Sequence, residues 1–317
     1  LSPRYTNLDP HARIGGGLLR WRLEKLLAGV PKPPEGGYAA FADRWRVTPD
    51  FAPDLNPRVW WLGHATVLLR LAGLNLLTDP HLTLRASPFS FVGPKRHVPV
   101  PADVHHLPRI DAVLISHSHY DHLDDRSIRA LLRANPAMAC YVPKGLKPWF
   151  ERRGAQVVHE LGWWDRHGMQ DLEIHCVPAQ HWSSRTLLDR NRTLWSGWVV
   201  KGHGLNFYFA GDTGYTPRLQ EIASRLGSPD IAALPIGAYE PRWFMRTQHV
   251  NPPEAVELHR ALKVRNSLAI HWGTFELADD SLDAPILSLQ QALQQQDLGP
   301  QDFWVVRQGE SRILRQE

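Results

Sequence analysis

The chain has 317 residues, a formal charge of +4 and 43% hydrophobic residues, with a pI near 9.2. That length allows one large core or two modest ones, and the apolar content is enough to fill them. The mild basic excess favours anionic partners such as phosphate esters or acidic lipid surfaces, and no dense Lys/Arg cluster argues for nucleic acid. No apolar run approaches the ~18–20 residues of a membrane span. Cys140 and Cys176 lie far apart in strand-like runs and read as buried free thiols. The 13 tryptophans read as core residues ahead of interfacial ones. The chain opens on Leu1, so removal of a leader or of a longer N-terminus stays open, as does the compartment, periplasm or cytoplasm if the source is bacterial.

Residues 1–57 are rich in Pro and Gly and read as an N-terminal arm packing on the core, with one amphipathic helix over Leu18–Leu27. From residue 58 to 317 the texture is that of one domain. Val59–Leu71 and Leu74–Thr78 read as two strands turning at Ala72-Gly73. Pro80–Pro108 is a long proline-bearing loop, of a length that usually carries function. Asp111–Ser116 is a short apolar strand, followed by a helix over Asp125–Ala134 with Asp124 as its cap. Strands are expected at Ala139–Val142 and Leu172–Val177. A hairpin of Thr193–Lys201 and Leu205–Ala210 turns at Gly202-His-Gly204. Further strands are Ile231–Pro235, Ser267–Ile270 and Phe303–Val306. The intervening helices are Pro217–Leu226, Pro253–Leu262 and Pro285–Gln296, the last two opened by first-turn prolines. Hairpins interleaved with single helices, in two halves of similar texture, point to a layered α/β domain with two sheets between helices.

The most informative segment is Ile115-Ser-His-Ser-His-Tyr-Asp-His-Leu123, where a buried strand ends in a loop holding His117, His119, Asp121 and His122. Imidazole and carboxylate are ligands for a borderline divalent ion such as zinc. Other candidates also stand at strand ends: Asp79 in Leu-Thr-Asp-Pro, His181 in Gln-His-Trp, Asp212 in Ala-Gly-Asp-Thr-Gly and His271 in Ile-His-Trp-Gly. A rigid scaffold assembles a preorganised site in this way. Each alone is weak, but together they are a strong signal.

This pattern resembles the metallo-β-lactamase superfamily. Longer motifs resemble its branch of N-acyl-phosphatidylethanolamine-hydrolysing phospholipases D: Gly63-His-Ala-Thr66, Gly93-Pro-Lys-Arg96, Gln180-His-Trp182, Phe209-Ala-Gly-Asp-Thr-Gly-Tyr215, Pro235–Met245 and Ile270-His-Trp-Gly-Thr-Phe275. The likeness runs from Arg58 to about Arg312 and thins in the arm, where Arg4-Tyr-Thr-Asn7 is suggestive only. The resemblance implies an αββα four-layer sandwich and two zinc ions. His117, His119 and His181 would hold one ion; Asp121, His122 and His271 the other; Asp212 would bridge. Asp79 would accept the N–H of a ligand imidazole, and His64 would support the ligand shell. Asp121, Tyr120 and His249 are the catalytic candidates, and Tyr120, His249, Ser90, Phe91 and Arg185 the substrate-contacting ones.

The activity so implied is a D-type cleavage that releases N-acylethanolamine or a related headgroup alcohol and leaves phosphatidic acid. Partner expectations are a phospholipid, a peripheral membrane surface and a homodimer, with no nucleic acid. The stretch Pro88-Phe-Ser-Phe-Val-Gly93 departs from the family pattern where the acyl amide is contacted, which bears on N-acyl specificity more than on phosphodiester chemistry. Two alternatives stay open: a lactonase or other hydrolase of the same superfamily, and a metal-stabilised lipid- or partner-binding module.

Overall fold

The computed structural model describes residues 4–9, 17–51, 56–186 and 188–314. Two seven-stranded sheets face each other. The first contains β1 (Arg58–Gly63), β2 (Thr66–Leu71), β3 (Leu74–Thr78), β4 (Ala112–Leu114), β5 (Ala139–Pro143) and β6 (Val157–Leu161) in sequence order. The second contains β7 (Arg166–Met169), β8 (Leu172–Val177), β9 (Gly197–Gly202), β10 (Leu205–Phe209), β11 (Ile231–Pro235), β12 (Asn266–Ile270) and β13 (Phe303–Trp304). The last strand, β14 (Ser311–Ile313), returns to pair antiparallel with β1. Each sheet begins with antiparallel hairpins and ends with parallel strands, β3 to β6 in one and β10 to β13 in the other.

Period-two alternation sends side chains to both faces of the first sheet. Val59, Trp61, Val67 and Leu69 enter the core that also takes Val199 and Phe207 of the second sheet. Trp60, Leu62 and Leu68 face the other way, onto Ile128, Leu131 and Phe150. Both faces are therefore covered, which is why β2 reads as one apolar run rather than an alternating one. Before the sheet in sequence come α1 (Leu18–Ala28), whose Trp21 stacks on Phe244, and α2 (Gly37–Arg44), whose Phe41 joins the core between the sheets; the outer layer behind the first sheet holds α3 (Asp125–Ala134) and α4 (Lys147–Glu151). Only α3 and α4 contribute to the cluster behind the first sheet. Further along come α5 (Glu221–Leu226), α6 (Arg242–Met245), α7 (Pro252–Ala261) and α8 (Ala284–Gln294), with α7 and α8 joined to the second sheet's core through Val256, Leu258 and Leu289. The architecture is a helix–sheet–sheet–helix sandwich.

Local chemistry sets the boundaries. Asp124 accepts from Ser127 N–H (3.1 Å) and starts α3. Asn251 and Glu254 form a reciprocal capping box ahead of α7. Ala72-Gly73 and His203-Gly204 both take positive φ, the conformation a tight hairpin turn needs. The expected single strand Val59–Leu71 is two strands: the chain reverses at His64, whose φ is +51°, and the continuous apolar sequence on either side conceals that turn. Pro217–Leu226 is a 3-10 turn followed by α5 rather than one helix. The short elements α2, α4, α6, β6, β7 and β14 carry too few residues to show a period.

The parallel strands bring their C-terminal ends to one edge. Thr78 pairs with Leu114, Phe209 with Ala233 and Pro235 with Ile270, so the loops after them are neighbours. Two glycines permit their approach. A Cβ on Gly211 (φ +60°) would stand 2.6 Å from Ser116 Cβ, and one on Gly237 2.3 Å from the His271 carbonyl oxygen. Gly237→Ala is therefore expected to cost about 1–3 kcal/mol by overpacking, measured by urea unfolding of the metal-free chain. An unchanged midpoint would show that these loops part freely.

Candidate metal centre

His117 and His119 extend from the loop after β4, with Asp121 and His122 in the turn that leads to α3. His181 follows β8, Asp212 follows β10 and His271 follows β12. All seven converge. His117 Nε2 lies 2.8 Å from His119 Nδ1, and His181 Nε2 lies 3.2 Å from that same atom. His122 Nε2 is 3.2 Å from His271 Nε2 and 3.2 Å from Asp121 Oδ2. Asp212 stands between the groups, 3.1 Å from both His122 and His271 and 3.7 Å from His181. Two four-residue groups result, His117, His119, His181 and Asp212, and His64, Asp121, His122 and His271; within each, the ligand atoms lie within 4.8 Å of one another.

These residues fit divalent cations. The edge of a tetrahedron around an ion with bonds of about 2.0–2.1 Å is roughly 3.3–3.4 Å, close to the spacings here. At the centre, the buried Asp212 Oδ1 and the His249 Nδ1 that faces this carboxylate lack a hydrogen-bond partner, although buried polar groups are nearly always paired. Imidazole and carboxylate without thiolate suit zinc and its first-row neighbours.

Electrostatics divide the rings into two classes. Burial drives His117 well below the usual imidazole range, His119 to about 3 and His181 to about 4, so these rings are neutral and ready to donate lone pairs. Burial also opposes charge on His122 and His271. There the carboxylates of Asp212 and Asp121 outweigh it, holding His122 well above its usual value and His271 at about 9. Burial would raise Asp121 and Asp212 in turn, but the surrounding imidazoles keep both well below the ordinary carboxylate range.

A second ring of contacts orients the ligands. Asp79 Oδ2 sits 2.7 Å from His122 Nδ1, and its carboxylate also accepts from Ser116 N–H (2.7 Å) and Ser116 Oγ (2.5 Å). His181 Nδ1 is 2.9 Å from the Gln248 carbonyl. His64 Nε2 is 2.9 Å from Asp121 Oδ2, and His64 O accepts from His271 N–H. His64, Asp79 and His271 all take positive φ, a cost that the surrounding packing sustains at this site. Tryptophans brace the same loops: Trp61 donates to His64 O (2.8 Å) and stacks on Trp272, and Trp198 donates to Ile115 O.

The centre opens into a cavity of roughly 340 Å³. His119, Tyr120, Asp121, Asp212 and His249 form its floor, and Leu18, Trp21, Trp182, Phe244, Met245 and Leu277 its apolar walls. Tyr120 turns its hydroxyl away, donating to Arg185 O (3.0 Å). His249 Nδ1 lies 3.9 Å from Asp212 Oδ2, and burial holds this ring well below its usual pKa. Arg185 does not line the cavity; it donates to Ser118 O and Leu123 O and lies over the Tyr120 ring, clasping the ligand loop from behind. Ser90 and Phe91 also lie outside the cavity lining, both exposed on the 80–96 loop. Arg96 of the Gly-Pro-Lys-Arg motif is buried and pins that loop through the carbonyls of His81 and Thr83. Sequence reasoning missed Trp21, Trp182, Arg190, Phe244, Met245 and Leu277 as cavity residues. Only Trp182, beside a ligand, carried a signal.

Residues 74–272 match the model of the beta-lactamase superfamily domain. The chain belongs to the metallo-β-lactamase superfamily. It is 45% identical over 239 residues to N-acyl-phosphatidylethanolamine-hydrolyzing phospholipase D 1 of Caenorhabditis elegans, covering 72% of this chain and 67% of that protein. It is 41% identical to an uncharacterized Mycobacterium tuberculosis protein, covering 72% of this chain and 62% of that one. It is 37% identical to the mitochondrial N-acyl-phosphatidylethanolamine-hydrolyzing phospholipase D of Saccharomyces cerevisiae, where it spans 69% of this chain but 48% of that protein. Among solved structures, a possible metal-dependent hydrolase from Veillonella parvula superposes with a TM-score of 0.67 at 16% identity, over 82% of this chain and all (100%) of that one. That likeness supports the fold. The chain is thus a metal-dependent hydrolase of this superfamily.

In the metal-free chain at neutral pH, His122 and His271 hold protons that a cation must displace. Metal uptake at pH 7 is expected to release about two protons per chain, read by calorimetry in buffers of different ionisation enthalpy. Release should fall from about two protons toward one, and affinity rise less steeply, as pH passes the His271 value of about 9, because His122 is held well above its usual range. Uptake without proton release would contradict the assigned ligands.

Proposed function

We propose that this chain is a dizinc phosphodiesterase acting on phospholipids with D-type regiochemistry, releasing N-acylethanolamine or a related headgroup alcohol and phosphatidic acid. The observation that supports it most is the union of a carboxylate–imidazole centre with a largely apolar cavity, which suits a substrate that is anionic at one end and hydrocarbon at the other. The phospholipases D among its relatives support the same reading. His117, His119, His181 and Asp212 would hold one cation and Asp121, His122 and His271 the other, with Asp212 shared. Bound there, two zinc ions supply a water activated near neutral pH and positive charge for phosphoryl oxygens.

The chain's own groups do the rest. Asp121 and Asp212, kept ionised, orient polar hydrogens at the reacting centre. His249 presents a neutral ring to the cavity, with one N–H to donate to a phosphoryl or leaving oxygen. Arg190 lines the cavity and lies over Trp182 (4.7 Å), placing a cation where an anionic diester enters. Tyr120 serves as wall, since its hydroxyl is engaged with Arg185.

We further place the cavity mouth against a bilayer. On α1, Leu18, Trp21 and Lys25 face inward: Leu18 and Trp21 line the cavity, Trp21 stacks on Phe244 (5.0 Å), and Lys25 donates to Ala278 O. The opposite face bears Leu19, Leu23, Leu26 and Leu27, at 82%, 58%, 78% and 78% exposure, too much apolar surface for a helix side meant to meet water alone. Arg20 and Arg22 interleave with these leucines. An exposed leucine face with basic flanks is the pattern of a helix lying in a membrane interface.

Release of headgroup from N-acylated and plain phosphatidylethanolamine is to be compared with ring opening of a lactone, all with zinc-loaded protein. N-acylethanolamine and phosphatidic acid should appear. Lactone turnover without diester cleavage would favour the other hydrolase reading, and vesicle binding without any turnover the non-enzymatic one. Separately, the pair Leu23→Asp and Leu27→Asp is expected to lose most co-sedimentation with anionic vesicles while keeping turnover of a short-chain soluble diester. Undiminished vesicle binding would remove α1 from the membrane contact.

A further inference from the structure

His181 stands in an irregular stretch beyond β8, and among the described residues neither its N–H nor its C=O joins a backbone–backbone bond. Both groups are satisfied by one side chain from the arm. Asn7 Nδ2 donates to His181 O (2.7 Å), and Asn7 Oδ1 accepts from His181 N–H (3.0 Å). The same Oδ1 accepts from Trp195 Nε1 (3.1 Å), itself buried and bonded to Ala179 O. The amide therefore has one possible orientation: its oxygen meets two N–H donors and its nitrogen meets a carbonyl. Among side chains of this size only the amide carries an acceptor oxygen and a donor nitrogen side by side on one carbon. Neighbouring contacts hold the arm in register. Tyr5 N–H donates to Asn191 O, Asp9 N–H to Gln180 Oε1, and Arg218 to Leu8 O, while the Leu8 side chain is buried in the core. By contrast, His122 and His271 have their N–H groups held by backbone carbonyls of His119 and His64.

We infer that Asn7 is a positioning residue of the metal centre, fixing the backbone of His181 so that its Nε2, already aligned by the Gln248 carbonyl at Nδ1, points at the cation. The arm is then a working part of the site and not only a covering for it. This rests on the two-metal reading above. Losing an outer partner of a ligand typically costs about 10- to 100-fold in metal affinity or activity.

The test uses the full chain loaded with zinc, as wild type, Asn7→Ala, Asn7→Asp and Arg218→Met. Zinc transfer to an excess of the chromophoric chelator 4-(2-pyridylazo)resorcinol is followed in time, and the visible bands of the cobalt-loaded proteins are recorded. Both Asn7 variants should lose one of two equivalents about 10- to 100-fold faster and shift the cobalt spectrum. Arg218→Met, which cuts a different tether of the same arm, should release metal at the wild-type rate. Asn7→Asp keeps the size and the acceptor, so it reports even if Asn7→Ala folds poorly. Wild-type release and spectra in the Asn7 variants would overturn the inference, as would equally fast release from Arg218→Met, which would make the arm a general tether. A wild-type chain that takes up fewer than two equivalents would instead overturn the two-metal reading, and this inference with it.

Discussion

Five imidazoles, four of them buried and His119 half-buried, and two carboxylates share a volume in which neighbouring ligand atoms stand as close as 2.8 Å. Lone pairs that close repel unless protons or cations lie between them. Without metal, the balance is met by protons on His122 and His271 facing Asp121 and Asp212. For His117, His119 and His181 burial outweighs the pull of Asp212, and these rings remain neutral. The charges of the metal-free site thus cancel, while three neutral imidazoles keep lone pairs for cations, and metal binding offsets the cost of burying them together.

The sandwich exists in a form that makes this crowding possible. Parallel strands from both sheets end at one edge, and each end contributes one short loop. The tolerances are tight: Gly211 and Gly237 allow approaches that a single methyl group would block. Positive φ at His64, Asp79 and His271 shows backbone held in a costly region by its neighbours. The tryptophans act here as braces, with indole N–H groups fixing carbonyls beside the ligands. Around the mouth the lining turns apolar, so charged and apolar side chains meet within one cavity.

How far the sequence could be read depended on whether an interaction lies in side-chain type or in backbone placement. The convergence of the seven side chains was legible because His and Asp at the ends of apolar strands have few other reasons to recur, and the structure sets Asp79 beside the His122 imidazole. The helix Leu18–Ala28 was visible as a period, but not which leucines face out, since both faces are apolar. Arg185 could be seen only as a cation near a ligand; that it serves two carbonyls depends on loop paths the sequence does not encode locally. Asn7 stood in a suggestive motif, but its partners were beyond reach for the same reason: they are the peptide groups of a residue 174 positions away. The turn at His64 was hidden because sheet burial on both faces erased the alternation that would mark it.

The most direct measurement is a crystal structure of the zinc-loaded protein with anomalous data at the zinc edge. Two peaks a few ångströms apart are expected, one among His117, His119 and His181, the other among Asp121, His122 and His271, with Asp212 between. A single peak, or peaks away from these residues, would contradict the account.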